Sequence, residues 1–324
     1  MRIRREKFVL QWHLTEKCNL KCKHCYQDGD IKKEMDIFEA SEVLDKFRKF
    51  IIENNYRGHI NFTGGEPFVK YDLLKQLMRR CDETDITYGI LTNGTMIDEK
   101  LVEELSRYKN LSFIQISLEG GKKVNDSIRG DGVFDKVMKA VKFLRRKGIQ
   151  TMISFTCSES NYKELRKLIW LCRLHRVDRF WTDRYVPIRK DEIEVLSTEH
   201  YREVVKVLQQ EHRCRIGGLD VECKRALQGI DLGCGYRCSA GERLLVLLPD
   251  GKALPCRRLP MELGNIKEKS IEELLEESKQ KFVLEERGEC TGCNKWDMCH
   301  GGAKCLTYAV TGDTSRKDIN CWYR

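Results

Sequence analysis

The sequence predicts an α/β protein, an open, partial (β/α)6 barrel followed by a small cysteine-rich domain. Between residue 8 and about residue 186, short β-rich runs alternate with helical patterns, which is typical of βα units with parallel strands. Six such runs are too few for a closed barrel of eight strands, so we expect an open one. Beyond Gly233 the composition changes, because eight of the 16 cysteines fall within residues 234–324.

The predicted strands and helices follow one another in regular order. The strands are "FVLQWHL" (8–14), "GHINFT" (58–63), "ITYGILT" (86–92), "LSFIQISL" (111–118), "QTMISFT" (150–156) and "DRFWTDRYVP" (178–187). Helical patterns between them include residues 40–53, 98–108, 134–147 and 163–174, and Gly148 stands where a C-cap glycine is expected. Because active sites of such barrels lie at the carboxyl ends of the strands, the loops after the strands are the candidate site.

Three segments are expected along the chain. Residues 1–187 form the barrel, and residues 188–232 form a linker with an amphipathic bridging helix over "STEHYREVVKVLQQEHR". Residues 233–324 form the cysteine-rich domain, with short strands around "RLLVLLPDGKALPC" and one helix over residues 270–286.

Composition excludes several classes of protein. No apolar run approaches the roughly 18 residues that a membrane span needs, and the N-terminus lacks a secretion signal, so we expect a soluble, cytoplasmic protein. In a large chain without an export signal, cysteines favour metal or redox chemistry over disulfides. The net charge is +9, and residues 1–232 hold 44 basic and 36 acidic residues, which weakly favours an anionic substrate or partner. The absence of an aromatic-basic stripe argues against nucleic acid.

Three cysteines stand close together on the polar loop after the first strand. Cys18, Cys22 and Cys25 are spaced C-x3-C-x2-C, with no fourth cysteine nearby. A structural zinc ion requires four ligands, whereas three thiolates suit a [4Fe-4S] cluster that keeps one iron open. A zinc site or a chance group of buried cysteines remains an alternative at this point.

The loops after the next strands carry further motifs, "FTGGEP", "LTNGT" and "ISLEGG". With the cysteine loop and its following aromatic residue, they resemble the radical S-adenosylmethionine (radical SAM) enzymes, which have a TIM-like partial barrel. The resemblance implies a [4Fe-4S] cluster whose open iron binds S-adenosylmethionine. It also implies cofactor-binding positions, which are Tyr26, Gly64, Gly65, Glu66, Asn93, Ser117 and Arg129. Glu119 stands where the family usually has Asp, and we assign it no role.

The cysteine-rich tail, with its C-x2-C-x5-C spacing, glycine pair and terminal cysteine, resembles the SPASM extension of peptide-maturing radical SAM enzymes. That extension commonly binds two auxiliary [4Fe-4S] clusters, which makes three clusters in all, and eight thiolates supply two complete ligand sets. A zinc-ribbon tail remains the alternative. By motif position one set is Cys290, Cys293, Cys299 and Cys321, and the other is Cys234, Cys238, Cys256 and Cys305.

One position departs from the SPASM pattern. Many members have a cysteine directly after the glycine pair, where this chain has Ala303, and the thiol follows two residues later at Cys305. Either Cys305 substitutes as the ligand, or the first auxiliary cluster has an open iron that could bind substrate. Of the other cysteines, Cys81 and Cys172 fit helix packing. Cys214 and Cys223 are surplus or alternative ligands.

Two residues at strand ends are further candidates for the chemistry. Cys157 ends the fifth strand, where a thiol could give a hydrogen atom to a substrate radical, although simple packing is the more economical interpretation. Asp183, with Arg184 beside it, ends the sixth strand and could contact substrate or cofactor, or close the barrel rim through a salt bridge.

The resemblance implies reductive cleavage of S-adenosylmethionine to a 5′-deoxyadenosyl radical that abstracts hydrogen from an unactivated C–H bond. We expect oxidative modification, such as a cross-link, of a residue in a ribosomally made peptide. The expected partners are a separate leader-recognition protein and an electron donor such as flavodoxin or ferredoxin. The alternatives are oxidative decarboxylation of a haem precursor, sulfatase-type maturation of a Cys or Ser, and a non-catalytic iron-sulfur electron carrier. No nucleic-acid or membrane partner is expected.

Overall fold

The computed structural model describes residues 5–27, 33–188, 193–214, 216–281 and 288–323. Six parallel strands stand side by side in chain order, which confirms the predicted partial barrel. They are β1 (Lys7–His13), β2 (Arg57–Thr63), β3 (Thr87–Thr92), β4 (Leu111–Ser117), β5 (Thr151–Cys157) and β6 (Arg179–Arg184).

Helices connect these strands and cover their outer face. The first is capped by Asp36, whose carboxylate accepts the backbone N–H of Phe38 and of Glu39, and the Asp36 N–H in turn donates to Glu39 Oε2. This capping box fixes where the helix starts. The barrel helices are α1 (Ile37–Glu53), α2 (Tyr71–Asp82), α3 (Glu99–Leu105), α4 (Lys122–Arg129), α5 (Val133–Arg146) and α6 (Leu165–Leu174).

Alternate residues of each strand point to opposite faces of the barrel wall. Phe8 packs its ring on Phe47 and Phe50 of α1, so the face that Phe8 shares with the buried Trp12 is the helix side. Trp181 and Gln115 belong to the opposite face of the wall. The Trp181 indole N–H donates to Gln115 Oε1 at 3.0 Å across β5, which places this opposite face in the lumen.

The C-terminal part extends the same sheet at both ends. After α7 (Thr198–Cys214), β7 (Asp220–Val221) pairs in parallel with β6. The predicted short strands of the cysteine-rich region are β8 (Leu244–Leu247) and β9 (Lys252–Leu254), and β8 pairs in parallel with β1. Adding β10 (Gly264–Asn265) beside β9 gives one ten-stranded sheet.

Three helices complete the C-terminal part, namely α8 (Ile271–Lys281), α9 (Trp296–Cys299) and α10 (Lys304–Thr311). The predicted helix over residues 270–286 corresponds to α8, and its last predicted residues lie outside the described part of the chain. The aromatic core runs along the helix side of the sheet through Trp12, Phe62, Tyr88, Phe155 and Phe180, all essentially inaccessible to solvent. Among the described helices, none has both the length and the apolar composition of a membrane span.

Candidate active site

The cysteine loop, residues 14–27, is fixed against the loop that follows β2. The Gly65 N–H donates to Thr15 O at 2.7 Å, and the Glu66 N–H donates to Lys17 O at 3.0 Å. A Cβ at Gly65 would lie 2.3 Å from Lys17 O, closer than real side chains approach a backbone oxygen. The absence of a side chain at Gly65 therefore lets the backbones of the two loops pack directly against each other, a contact that the sequence alone does not reveal.

Cys18 lies at the side of this loop that faces β3. Its Sγ accepts the Leu20 backbone N–H at 3.4 Å and the Asn93 side-chain amide at 3.8 Å. Asn93 also donates to Asn19 Oδ1 at 2.9 Å, and its own oxygen accepts two hydrogen bonds from Thr95. Asn93 thus ties the loop after β3 to the cysteine loop.

Glu66 is completely buried beneath these two loops. Its carboxylate accepts the Thr92 hydroxyl at 2.8 Å, the Asn93 backbone N–H at 2.8 Å and the Phe68 backbone N–H at 3.2 Å. Burial nevertheless dominates and raises the pKa of Glu66 to about 7. Glu66, one of the cofactor-binding positions that the resemblance implies, therefore also connects the loops after β2 and β3 from within.

Cys22 lies at the opposite side of the loop, against the end of α4. Arg129 approaches Cys22 Sγ to 3.8 Å and donates to Glu119 Oε1 at 2.5 Å, while His24 lies 3.5 Å from the same Glu119 oxygen. The second Glu119 oxygen accepts the Thr156 N–H at 2.9 Å. Burial alone would raise the pKa of Glu119, but Arg129 and His24 outweigh it and bring the pKa to about 2. Glu119, set aside in the sequence analysis, organises this side of the site.

Tyr26, directly after Cys25, lies against a residue of the cysteine-rich region. The Arg257 guanidinium stands 5.1 Å from the centre of the Tyr26 ring and donates to the Tyr26 carbonyl at 3.3 Å. On its other side the ring makes an edge contact with His13, with centroids 6.3 Å apart. Burial raises the pKa of Tyr26 to about 12, so the phenol stays protonated. Arg257, adjacent to Cys256, therefore links the two cysteine-bearing regions.

The strand register places the remaining barrel candidates on two different faces of the barrel wall. Ser117 at the end of β4 and Asp183 near the end of β6 are on the lumen face, with Ser117 opposite Ser154 and Asp183 opposite Thr156. Cys157 has the opposite parity and is buried among core side chains on the helix side. This burial favours the packing interpretation of Cys157, and hydrogen-atom donation by its thiol stays a prediction.

Asp183 and Arg184 both form ion pairs with the C-terminal part. Asp183 Oδ2 accepts a hydrogen bond from Arg258 at 2.7 Å. Burial would raise the pKa of Asp183, but the charges of Arg258 and Arg225 outweigh burial and lower this pKa. Arg184 faces the helix side, where Asp318 accepts two parallel hydrogen bonds from it, each 2.6 Å long. Arg184 is thereby occupied in a buried pair and is not open to substrate.

One predicted auxiliary ligand set lines a single pocket. Between α9 and the C-terminal segment lies a pocket, open to solvent, which Lys295, Trp296 and Tyr323 help to enclose. Burial raises the pKa of Cys299 to about 12, so a metal cluster that binds there must displace the thiol proton. The four cysteines in its wall are Cys290, Cys293, Cys299 and Cys321.

Three members of the second set also lie together. Cys238, Cys256 and Cys305 pack around Leu259, and burial raises the pKa of Cys305 to about 12. Cys234 follows a turn near Gly229, where its neighbours include Cys223, and its Sγ lies 3.9 Å from Leu232 O. The structure therefore brings three of these four thiols together and places Cys234 next to a different cysteine.

The other cysteines are mostly structural. Cys81 and Cys172 are buried in α2 and α6, Cys223 donates to Gln228 O at 3.2 Å, and Cys214 is exposed at the end of α7. No disulfide joins the 16 cysteines, all of which lie in the described part of the chain. Among the residues that the structure describes, no three His, Cys, Asp or Glu side chains converge where a single metal ion could bind.

The donor sets fit iron-sulfur clusters. N–H groups point at the sulfurs of Cys18 and Cys22, an environment that tunes cluster potentials, and four thiols surround one cavity in the C-terminal part. Sequence reasoning missed Glu119, Arg257 and Arg258. The two arginines directly follow Cys256 in the sequence, which is the one signal that could have indicated them.

Comparisons with known proteins agree with this geometry. The profile of the Radical SAM superfamily matches residues 12–169, and the profile of SPASM, an iron-sulfur cluster-binding domain, matches residues 238–294. A protein of Methanosarcina barkeri named AdoMet-dependent heme synthase is 26% identical, over 98% of this chain and 96% of its own length.

Solved structures share the fold over nearly the whole chain. Streptococcus suis SuiB bound to S-adenosylmethionine superposes with a TM-score of 0.78 at 19% identity, over 98% of this chain and 77% of SuiB. The protein anSMEcpe, solved with bound AdoMet and Cp18Cys peptide, superposes with a TM-score of 0.78 at 20% identity, over 97% of this chain and 93% of its own. The chain thus belongs to the radical SAM superfamily and is a radical SAM enzyme with a C-terminal SPASM iron-sulfur domain.

Proposed function

We propose that this radical SAM enzyme oxidatively decarboxylates a haem precursor. The observation that carries the proposal is the end-to-end match to a protein named AdoMet-dependent heme synthase, which covers both the barrel and the cysteine-rich region. The excess of basic residues in the first 232 residues suits a substrate with several carboxylates. The peptide-modifying activity that the sequence favoured becomes the second candidate.

The reaction balances with one hydrogen atom and one electron per side chain. A propionate, –CH2–CH2–COO⁻, becomes a vinyl group and carbon dioxide, and it gives up one hydrogen atom and one electron. S-adenosylmethionine supplies the acceptor for the hydrogen atom, as in other radical SAM enzymes. The auxiliary clusters are the proposed acceptor for the electron, since iron-sulfur potentials vary enough with ligation and exposure to direct electrons between sites.

The chain's own residues have three tasks in this proposal. Cys18, Cys22 and Cys25 hold the first [4Fe-4S] cluster, and Asn93 and Arg129 fix the loop that carries them. The two predicted cysteine sets hold two auxiliary clusters, which makes three clusters per chain. The lumen side chains seat the cofactor and exclude water from the reacting carbon.

Incubation of the cluster-loaded enzyme with iron coproporphyrin tests the proposal. Under anaerobic conditions with S-adenosylmethionine and a strong reductant, we expect each reacting propionate to lose one carbon dioxide and two hydrogen atoms, measured by mass spectrometry. The variant with Cys18, Cys22 and Cys25 changed to Ala should leave the porphyrin unchanged. Cleavage of S-adenosylmethionine by the wild-type enzyme with no change in porphyrin mass would contradict a haem-precursor substrate.

The second candidate is oxidative modification of a peptide. Its support is that anSMEcpe, which has this fold, was solved with a peptide bound. A sulfatase-type maturase has less support, because those enzymes usually carry the cysteine that Ala303 replaces. Anaerobic co-expression with a short peptide encoded nearby, followed by fragment spectrometry, should localise a loss of two hydrogens to the peptide. Flavodoxin or ferredoxin is the proposed electron donor for either reaction.

A further inference from the structure

We infer that Arg225 and Arg258, both near Asp183, form a subsite that binds a carboxylate of the substrate. The inference rests on the proposed function, because it assigns the contact that recognises a propionate side chain. The two arginines come from segments outside the six-stranded barrel, and both reach the end of β6. The subsite therefore lies where the barrel meets the cysteine-rich region.

Arg258 is held at the lumen mouth by Asp183. Its guanidinium donates to Asp183 Oδ2 at 2.7 Å, and within the described part of the chain Asp183 is the one hydrogen-bond acceptor recorded for it. The Arg258 side chain keeps 27% of its surface exposed and Asp183 keeps 16%, so solvent reaches the pair. A guanidinium has five N–H donors in a fixed fork, which leaves Arg258 donors that match an incoming carboxylate.

Arg225 is held beside the same carboxylate by an aromatic ring. Its guanidinium stands 4.5 Å from the centre of the Trp181 ring, and Trp181 shares the lumen face with Asp183 two residues on. The indole N–H donates to Gln115 Oε1 at 3.0 Å, which fixes the ring in place. Arg225 has an ion pair with Glu222 at 4.0 Å, the limit for such a contact, and 37% of its side chain is exposed.

Close ion pairing at the end of β6 leaves a surplus of one arginine, because three arginines lie near two carboxylates and the third carboxylate, Glu222, is 4.0 Å from Arg225. Arg184, the third arginine, faces away from the lumen and is neutralised by Asp318. Arg225 and Arg258 then share Asp183, and the distant Glu222 compensates Arg225 weakly. Because an ionised carboxylate forms strong paired hydrogen bonds with a guanidinium, a substrate carboxylate would satisfy this surplus.

The position also suits the proposed electron transfer. Arg258 is two residues from Cys256 in the sequence. Burial would lower the pKa of Arg258, but the nearby Asp183 and Cys305 outweigh burial and raise this pKa. A propionate anchored on Arg258 would thus be held next to the second set of cysteines. Trp181 and Gln115 would border its other side from within the lumen.

Equilibrium binding to the cluster-loaded enzyme tests the subsite. The probes are iron coproporphyrin and its uncharged methyl ester, titrated by quenching of tryptophan fluorescence. We expect Arg225→Gln and Arg258→Gln each to weaken binding of the acid by about tenfold and to leave binding of the ester unchanged. Asp183→Asn should tighten binding of the acid, because it removes the competing carboxylate. Arg166→Gln, on the outer face of α6, is the matched control and should change neither affinity.

The outcomes separate this inference from the proposed function. If the Arg225→Gln enzyme binds and decarboxylates the acid as the wild type does, the subsite is refuted while the haem-precursor function stands. Equal losses for acid and ester would also refute it, since they would indicate a general structural defect. If the wild-type enzyme binds neither probe, both proposals fail together. Iron content, measured for every variant, shows whether Arg258→Gln has disturbed the nearby cluster.

Discussion

Glu119 shows how one buried carboxylate can organise a site that its motif does not reveal. Its two oxygens meet Arg129, His24 and the Thr156 N–H, so α4, the cysteine loop and β5 all converge on it. The sequence places it where the family usually has Asp, and that comparison alone gave no reason to assign it a role. Since Arg129 also reaches Cys22, Glu119 holds the arginine that contacts a predicted cluster ligand.

We predict that Glu119→Gln lowers the free energy of unfolding of the metal-free chain by about 3 kcal/mol, because it leaves the buried Arg129 charge without its partner. Urea denaturation measures the change. Glu103→Gln is the control, since Glu103 pairs with Lys147 at the surface and such exposed pairs contribute about 1 kcal/mol or less. Equal effects of the two substitutions would show that Glu119 has no special structural role.

Glu66 gives a prediction about pH at the same scale. Its pKa rises from 4.5 to about 7 on folding, so the folded chain binds a proton more tightly than the unfolded chain does. The stability from this group is therefore present below pH 4.5 and is lost as pH rises through 7. Relative to Glu66→Gln, the wild-type chain should lose about 2 kcal/mol of unfolding free energy between pH 5 and pH 8. Denaturation of both proteins at the two pH values measures it, and a difference that stays constant with pH would contradict it.

Among the secondary-structure elements, the strand-end loops were predictable and their mutual contacts were not. The motifs at Cys18, Gly65 and Asn93 each follow a strand, and parallel strands bring their carboxyl ends to one edge. The close packing of Gly65 on Lys17 needs the three-dimensional arrangement, because nothing in the local sequence states which backbone lies opposite. Likewise strand parity, which excluded Cys157 from the lumen, depends on the register.

Helix α10 contains Cys305, the cysteine that could replace the ligand missing at Ala303. The Ala303 N–H donates to Asp318 at 2.7 Å, and Cys305, the second residue of α10, lies in the same cluster as Cys256 and Cys238. If Cys305 replaces the usual ligand, Cys305→Ala should lower the iron content of the reconstituted enzyme by about four atoms per chain. Cys81→Ala removes a thiol buried in α2 and should leave the iron content unchanged. Full iron content in Cys305→Ala would instead favour a cluster with an open iron.

For the whole molecule, the barrel and the cysteine-rich region form one continuous sheet. Strand β8 pairs with β1, although more than 200 residues separate them in the chain. The sequence predicts a strand at β8 but gives no signal for its partner, because pairing over such a separation leaves no local pattern. Tyr26 and Arg257 meet across the same junction.

The Arg184 and Asp318 pair is the strongest polar link between β6 and the C-terminal segment. Both side chains are 1% exposed, and Asp318 also accepts the Ala303 N–H beside the second cysteine set. The sequence could identify Arg184 at a strand end, but its partner lies 134 residues away. A buried pair of this kind gives specificity of docking, although its net contribution to stability is offset by desolvation.

Breaking one side of this pair should therefore be costly. We predict that Asp318→Asn lowers the unfolding free energy by 3–5 kcal/mol, because Arg184 is left buried and charged. Asp220→Asn is the matched control. Asp220 pairs at 3.0 Å with Arg179, which lies in β6 like Arg184, but both side chains are about half exposed. That substitution should cost less than about 1 kcal/mol.

A double variant separates charge from shape in the same experiment. Arg184→Met combined with Asp318→Leu removes both charges, and it should recover part of the loss, since an apolar pair avoids desolvation. Recovery stays incomplete because the Ala303 N–H loses its acceptor, a cost of about 1–3 kcal/mol for a buried donor. Urea denaturation of the four proteins measures these differences. If Asp318→Asn costs no more than Asp220→Asn, the buried pair adds nothing measurable to the docking of the C-terminal segment on β6.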